Sequence, residues 1–186
     1  MGTFTDALHA HPPGRQRGSV LVAVMLLTTI LTGLIVGVCR PDPRVLLDQV
    51  LAGASPAWGV QATGNKPVLR IGKDALVLHV HTSRPGYLLV LQANTDGHTF
   101  ELIFPNALDE MAQVASGDMV LPRKGWEFKA VGPPGEGTLL VVEQAGAPDE
   151  AAIRVAMNKG QLPTLDADYG AARVHWQEVD DTEPAK

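Results

Sequence analysis

Cysteine occurs once in the 186 residues, as Cys39. A single thiol cannot close an intrachain disulfide, and it cannot build the cysteine cage of a zinc finger. Basic residues are in the minority, 15 Lys and Arg against 20 Asp and Glu for a net charge of −5. A nucleic-acid partner would leave a basic footprint, so that class is excluded. The sequence has no Gly-x-Ser-x-Gly around any of Ser19, Ser55, Ser83 or Ser116, which leaves nucleophilic serine catalysis without an anchor. "GPPGEG" at 132–137 holds the glycines of a phosphate loop but lacks the Gly-Lys-Ser/Thr that grips phosphate and magnesium, and it reads as a turn.

What the chain does have is one long apolar run. Ser19 to Val38, "SVLVAVMLLTTILTGLIVGV", carries no charge and spans the roughly 20 residues that a bilayer-crossing helix requires. Its hydroxyls, on Ser19, Thr28, Thr29 and Thr32, can bond back to their own helix. Arg15 and Arg17 precede the run while Arg40 and Arg44 follow it, so charge bias alone sets orientation weakly. An uncleaved signal-anchor is expected. A cleaved leader would need a shorter run and a small-residue cleavage site, and "IVGVCR" fits that poorly. Lipidation at Cys39 is the alternative, disfavoured by Val38 just before it. The expected organisation is a cytoplasmic arm at 1–18, a membrane span at 19–38 and a linker with a short helix at 39–56. A β-rich domain follows at 57–179, with a disordered acidic tail at 180–186. This order puts the protein in an inner membrane as a single-pass chain with its C-terminal domain in the periplasm.

In the linker, Val45–Leu51 reads as a short helix capped by Asp42 and stopped at Gly53. From residue 67 the apolar pattern has period two. Leu76, Leu78 and Val80 share one strand face, with Val77, His79 and His81 on the other. Tyr87–Ala93 is nearly all apolar, which predicts burial on both faces. Asp96-Gly97 supplies the tight turn to a return strand at His98–Phe104 that ends at Pro105. Short strands are predicted at Met119–Leu121, Trp126–Ala130, Thr138–Glu143 and 172–179, and a helix at Asp149–Lys159. The predicted fold class is mainly β, a small antiparallel β-sandwich with one or two short helices behind a transmembrane helix.

Few residues suggest chemistry. His79 and His81 point to one side of a strand and could ligate a metal, with His98 as a third ligand if the fold brings it close. An exposed polar strand face explains the same pattern, and no metal or cofactor is expected. Carboxylates such as Glu127 with Glu136, or Asp109 with Glu110, could form an acid–base pair, but their spacing sets no geometry. Trp58, Tyr87 and Trp126 read as core or rim aromatics. Arg123 and Lys124 beside Trp126 offer a small cationic patch for a partner. With Asn106 and Asp109 they form the candidate contact set, on the 105–118 loop and the 122–125 turn.

"LRIGKDALVLHV", "GYLLVLQANTDG", "ELIFPN", "LPRKGWEFKAVGPPG" and "YGAARVHWQEV", in that order, resemble an uncharacterised bacterial domain of unknown function. The likeness spans about residues 57–179. That family occurs behind a membrane helix in Ser/Thr kinases associated with type VI secretion, behind caspase-like peptidases, and as stand-alone secreted or anchored proteins. It has no established catalytic residues. The Gly-rich loop, strand lysine and catalytic aspartates of a kinase do not occur in this sequence, so the resemblance extends only to the extracytoplasmic module. It implies a non-catalytic interaction or sensory module with a protein partner in the envelope or a secretion apparatus. An extracytoplasmic enzyme built on histidines and carboxylates is the alternative, as is a cell-wall or small-ligand binding lipoprotein.

Overall fold

The computed structural model describes residues 40–181. The arm 1–18, the apolar run 19–38, Cys39 and tail residues 182–186 lie outside the described residues. Among the described residues no helix is long and apolar enough to cross a membrane.

The first element is helix α1, Pro43–Gly53. Asp42 caps it by accepting from the Arg44 amide at 2.8 Å, and Pro43 in the first turn has no amide left to satisfy. Leu46, Leu47 and Val50 recur at helical spacing and are buried. The stretch read as a linker is therefore part of the folded body, because these side chains need an apolar surface to cover. A 3₁₀ turn follows at Pro56–Trp58 and closes at Gly59, whose φ of 64° suits glycine.

Eleven strands follow among the described residues. Strands β1 (Gln61–Gly64), β4 (Leu78–Thr82) and β8 (Gly117–Leu121) make a three-stranded antiparallel sheet with β4 in the middle. The larger sheet runs β2 (Val68–Arg70), β11 (Tyr169–Val179), β10 (Gly135–Gln144), β5 (Gly86–Ala93) and β6 (Phe100–Phe104). Short β7 (Gln113–Val114) joins the end of β5. A separate pair links β3 (Ala75–Leu76) to β9 (Phe128–Lys129). Pairing is antiparallel except between β2 and β11, which run parallel. The second helix, α2, is Glu150–Asn158, capped by Asp149 accepting from the Ala152 amide.

The two sheets pack face to face, and their shared core holds Leu78, Val80 and Leu121 from one side and Leu88, Val90, Leu139, Val141 and Trp176 from the other. The opposite face of the larger sheet presents Leu89, Leu91, Leu140 and Val142 to α1 and α2. Each such buried aliphatic side chain removes apolar area worth roughly 1.5–3 kcal/mol. Burial on both faces is why β5 and β10 read as continuous apolar runs.

Several details depart from the sequence expectation. The single alternating strand expected through Leu76–His81 breaks at Val77, whose amide donates to the Asn65 side chain. The hairpin between β5 and β6 is not a two-residue turn. It spans 94–99, with Asp96 accepting from the amides of His98 and Thr99 and from the Thr99 hydroxyl. The side chain of Asp96 thus organises a wider loop, and β6 begins at Phe100 instead of His98. Only Phe128–Lys129 of the predicted 126–130 strand pairs, while the last strand begins earlier, at Tyr169. The tail start is also more ordered than expected, since Asp181 pairs with Lys73 at 2.6 Å.

Candidate interaction surface

Two connections meet at one end of the body: residues 105–112 between β6 and β7, and residues 122–127 between β8 and β9. Each follows a Pro that ends its strand, Pro105 and Pro122, so neither can extend the ladder. Asn106 shapes the first connection. Its side-chain amide donates to Ile103 O at 2.9 Å, and its carbonyl accepts from the Leu108 and Asp109 amides at 2.9 and 3.1 Å. This side chain mimics a turn of backbone.

Arg123 then ties the second connection to the first. Its Nε donates to Asp109 Oδ2 at 2.7 Å, and its terminal nitrogen donates to Asp109 Oδ1 and to Met111 O. The planar fork fits a carboxylate in two-point contact. Trp126 adds a third donor to Asp109 at 3.3 Å. Burial pushes the Asp109 carboxyl up, but the hydrogen bonds and charge of Arg123, with Trp126 and the Met111 backbone, more than reverse this and leave it below the ordinary range. Beneath the pair, the Arg123 guanidinium lies 5.0 Å over the Phe104 ring, and Phe104 stacks with Trp126 at 6.4 Å and 4°. Trp126 meets Phe128 edge-on at 4.6 Å.

Four of the five residues expected to contact a partner, Asn106, Asp109, Arg123 and Trp126, are therefore brought together. Their polar groups are engaged with one another, so they hold the loop instead of offering free hydrogen bonds. Lys124 remains exposed at the turn. The locked loop presents two large apolar side chains to solvent, Leu108 at 71% and Met111 at 68% exposure, on either side of the exposed Glu110. These two residues were missed in the sequence, although two apolar side chains three apart inside the polar "ALDEMAQ" carry the signal.

The histidines fall elsewhere. His79 and His81 project from β4 on the outer face of the three-stranded sheet, in an open trough of about 460 Å³. His81 Nδ1 lies 2.7 Å from Asp118 Oδ1 across the β4–β8 pair, and Gln61 and Thr63 of β1 flank the row. His98 lines a different cavity of about 290 Å³, beside α1 and α2 with Glu101 and Met157. The fold does not bring it to the other two. Among the described residues no group of three or more ligating side chains is placed to hold a metal ion. Trp58 is buried, whereas Tyr87 and Trp126 are half-buried.

No curated protein and no solved structure matches the chain. Residues 68–143, from β2 through most of β10 and including both the locked loop and the trough's central strand, match the model of a family described as Domain of unknown function (DUF4384).

Proposed function

We propose that the chain is a membrane-anchored, non-catalytic interaction module that engages a protein partner in the bacterial envelope, as an accessory of a secretion or signalling assembly. The observation that carries this reading is the exposure of Leu108 and Met111 on a loop held rigid by Arg123 and Asp109. Exposed apolar side chains on a preorganised loop lose little conformational entropy on binding. The apolar run 19–38 supports tethering, and the ordered motifs that resemble the extracytoplasmic part of type VI secretion-associated kinases support the envelope setting. Crosslinking in intact bacteria, followed by identification of adducts, tests the reading. The wild-type chain is expected to yield a discrete envelope adduct that the Leu108→Asp, Met111→Asp pair loses while remaining folded and membrane-associated. Identical adducts from both chains would refute it.

A second reading has its own observation. Asp118 Oδ1 lies against His81 Nδ1, and both residues line the trough with His79, an arrangement that general-base chemistry on a small extracytoplasmic substrate could use. Turnover lost in both His81→Gln and Asp118→Asn, with partner crosslinking intact, would favour it over the first.

A further inference from the structure

Glu143 stands on β10 in alternation with Leu139 and Val141, so its side chain enters the core between the two sheets. It is 0% exposed, and neither carboxylate oxygen has a hydrogen-bond partner among the described residues. Glu178, also buried, shows the usual arrangement. It accepts from Trp176 Nε1 at 3.1 Å and from the Gly132 amide at 2.7 Å. Buried polar groups are nearly always satisfied, and among the described residues Glu143 is the one buried carboxylate with both oxygens unpartnered.

Its neighbours come from four directions. On β5, Gly86 lies so close that a Cβ there would sit 3.0 Å from Glu143 Cγ. On β11, Gly170 pairs with Glu143, and a Cβ there would meet Trp58 at 2.3 Å. Directly paired residues share a face, so Trp58 of the 3₁₀ turn covers the side of the sheet that Glu143 enters. On β4, Thr82 is buried, and its hydroxyl donates to Ala115 O. From the β4–β5 connection comes Arg84, whose positive charge favours the ionised form of Glu143. Its guanidinium lies 4.4 Å over the Trp58 ring and donates to Ala57 O at 2.6 Å. Trp58 Nε1 is buried without a partner as well.

To offset its desolvation an ionised carboxylate in this position would have only the Thr82 hydroxyl, which is turned to Ala115 O. Burial pushes the Glu143 carboxyl up to about 7, against the opposing pull of Thr82 and Arg84. One cation is at hand, and it is bound to the 3₁₀ turn.

We propose that Glu143 is a proton-operated latch on the turn that joins α1 to β1. With Glu143 neutral, Arg84 stays on Trp58 and Ala57 and holds the turn. With Glu143 ionised, Arg84 leaves the indole face for the carboxylate, and the turn loosens.

The test is an NMR titration of the full-length chain in detergent micelles, from about pH 5 to about pH 8.5, following the Trp58 indole N–H and the Glu143 carboxyl carbon. Both signals are expected to move together with a midpoint near 7. In Glu143→Gln the Trp58 movement should vanish. In Arg84→Gln the carboxyl midpoint should rise, because an opposing positive charge is gone, and Trp58 should no longer follow it. A Trp58 signal that is flat in the wild type, or that still titrates in either variant, overturns the latch.

Discussion

Replacing Glu143 by Gln keeps the length of the side chain and removes its titration, so the pH dependence of stability isolates one carboxyl. Below pH 4.5, the ordinary value for a glutamate, Glu143 is protonated in both the folded and the unfolded chain, and its stabilising contribution is complete. As pH rises through 4.5 the unfolded chain releases the proton first, because the folded site holds it up to about 7. Stability falls across that window and levels off once both forms are ionised. With about 1.36 kcal/mol for each tenfold change in proton affinity, the loss is roughly 3 kcal/mol. Urea unfolding followed by tryptophan fluorescence reads it, since Trp58, Trp126 and Trp176 all lie in the described body. Asp74, Asp96 and Asp109 have lowered values and act in the opposite sense, losing their contribution as pH falls through their folded values. They are unchanged in the variant, so they cancel in the difference between wild type and Glu143→Gln. That difference should shift by roughly 3 kcal/mol in favour of the variant between pH 4.5 and pH 8. A difference constant to within about 0.5 kcal/mol, the usual size of a surface effect, would refute the argument.

The remaining predictions concern packing and the loop. Arg123→Ala should leave the Asp109 carboxylate short of two donors and cost about 1–3 kcal/mol, with faster protease cleavage between 106 and 111 as the direct readout. Arg154 donates to Leu102 O and Pro105 O and so covers the outer edge of β6. Arg154→Ala should lower stability by about 1–2 kcal/mol and raise light scattering on mild heating, because the freed edge can pair with another chain. Gly137→Ala should be more severe, since its Cβ would fall 2.1 Å from the Trp176 ring. A loss of about 3 kcal/mol or failure to fold, seen by circular dichroism, is expected. Leu108→Ser with Met111→Ser should change stability by less than about 0.5 kcal/mol, because both side chains are exposed.

The strands that matter most were legible from alternation and composition. Leu76, Leu78 and Val80 fall on the buried face because period two leaves no other choice, and the apolar continuity of β5 reports a sheet covered on both sides. The helices were legible from Asp42, whose carboxylate caps in the expected position, and from the run at 149–159, where Asp149 is the cap and not the first helical residue it was read as. Short β1, β2 and β7 were not, since two to four residues carry too little pattern and pair only once the neighbouring strands are in place. The candidate surface was half legible. Polar residues in Pro-flanked loops pointed to the right region, but spacing alone could not show that Asp109 and Arg123 would be consumed by each other. Glu143 escaped notice for a related reason. On paper it is one more carboxylate at the end of an apolar run, and only the approach of Gly86, Gly170 and Trp58 shuts it away from water.

If the loop that carries Leu108 and Met111 meets a partner, a photo-crosslinking residue placed at position 108 in living cells should capture it. Position 155, 52% exposed on α2, serves as the control site. A discrete adduct from 108, absent from 155 and reduced when Arg123→Ala unlocks the loop, is the predicted result. No adduct from 108, or the same adducts from both positions, would contradict it.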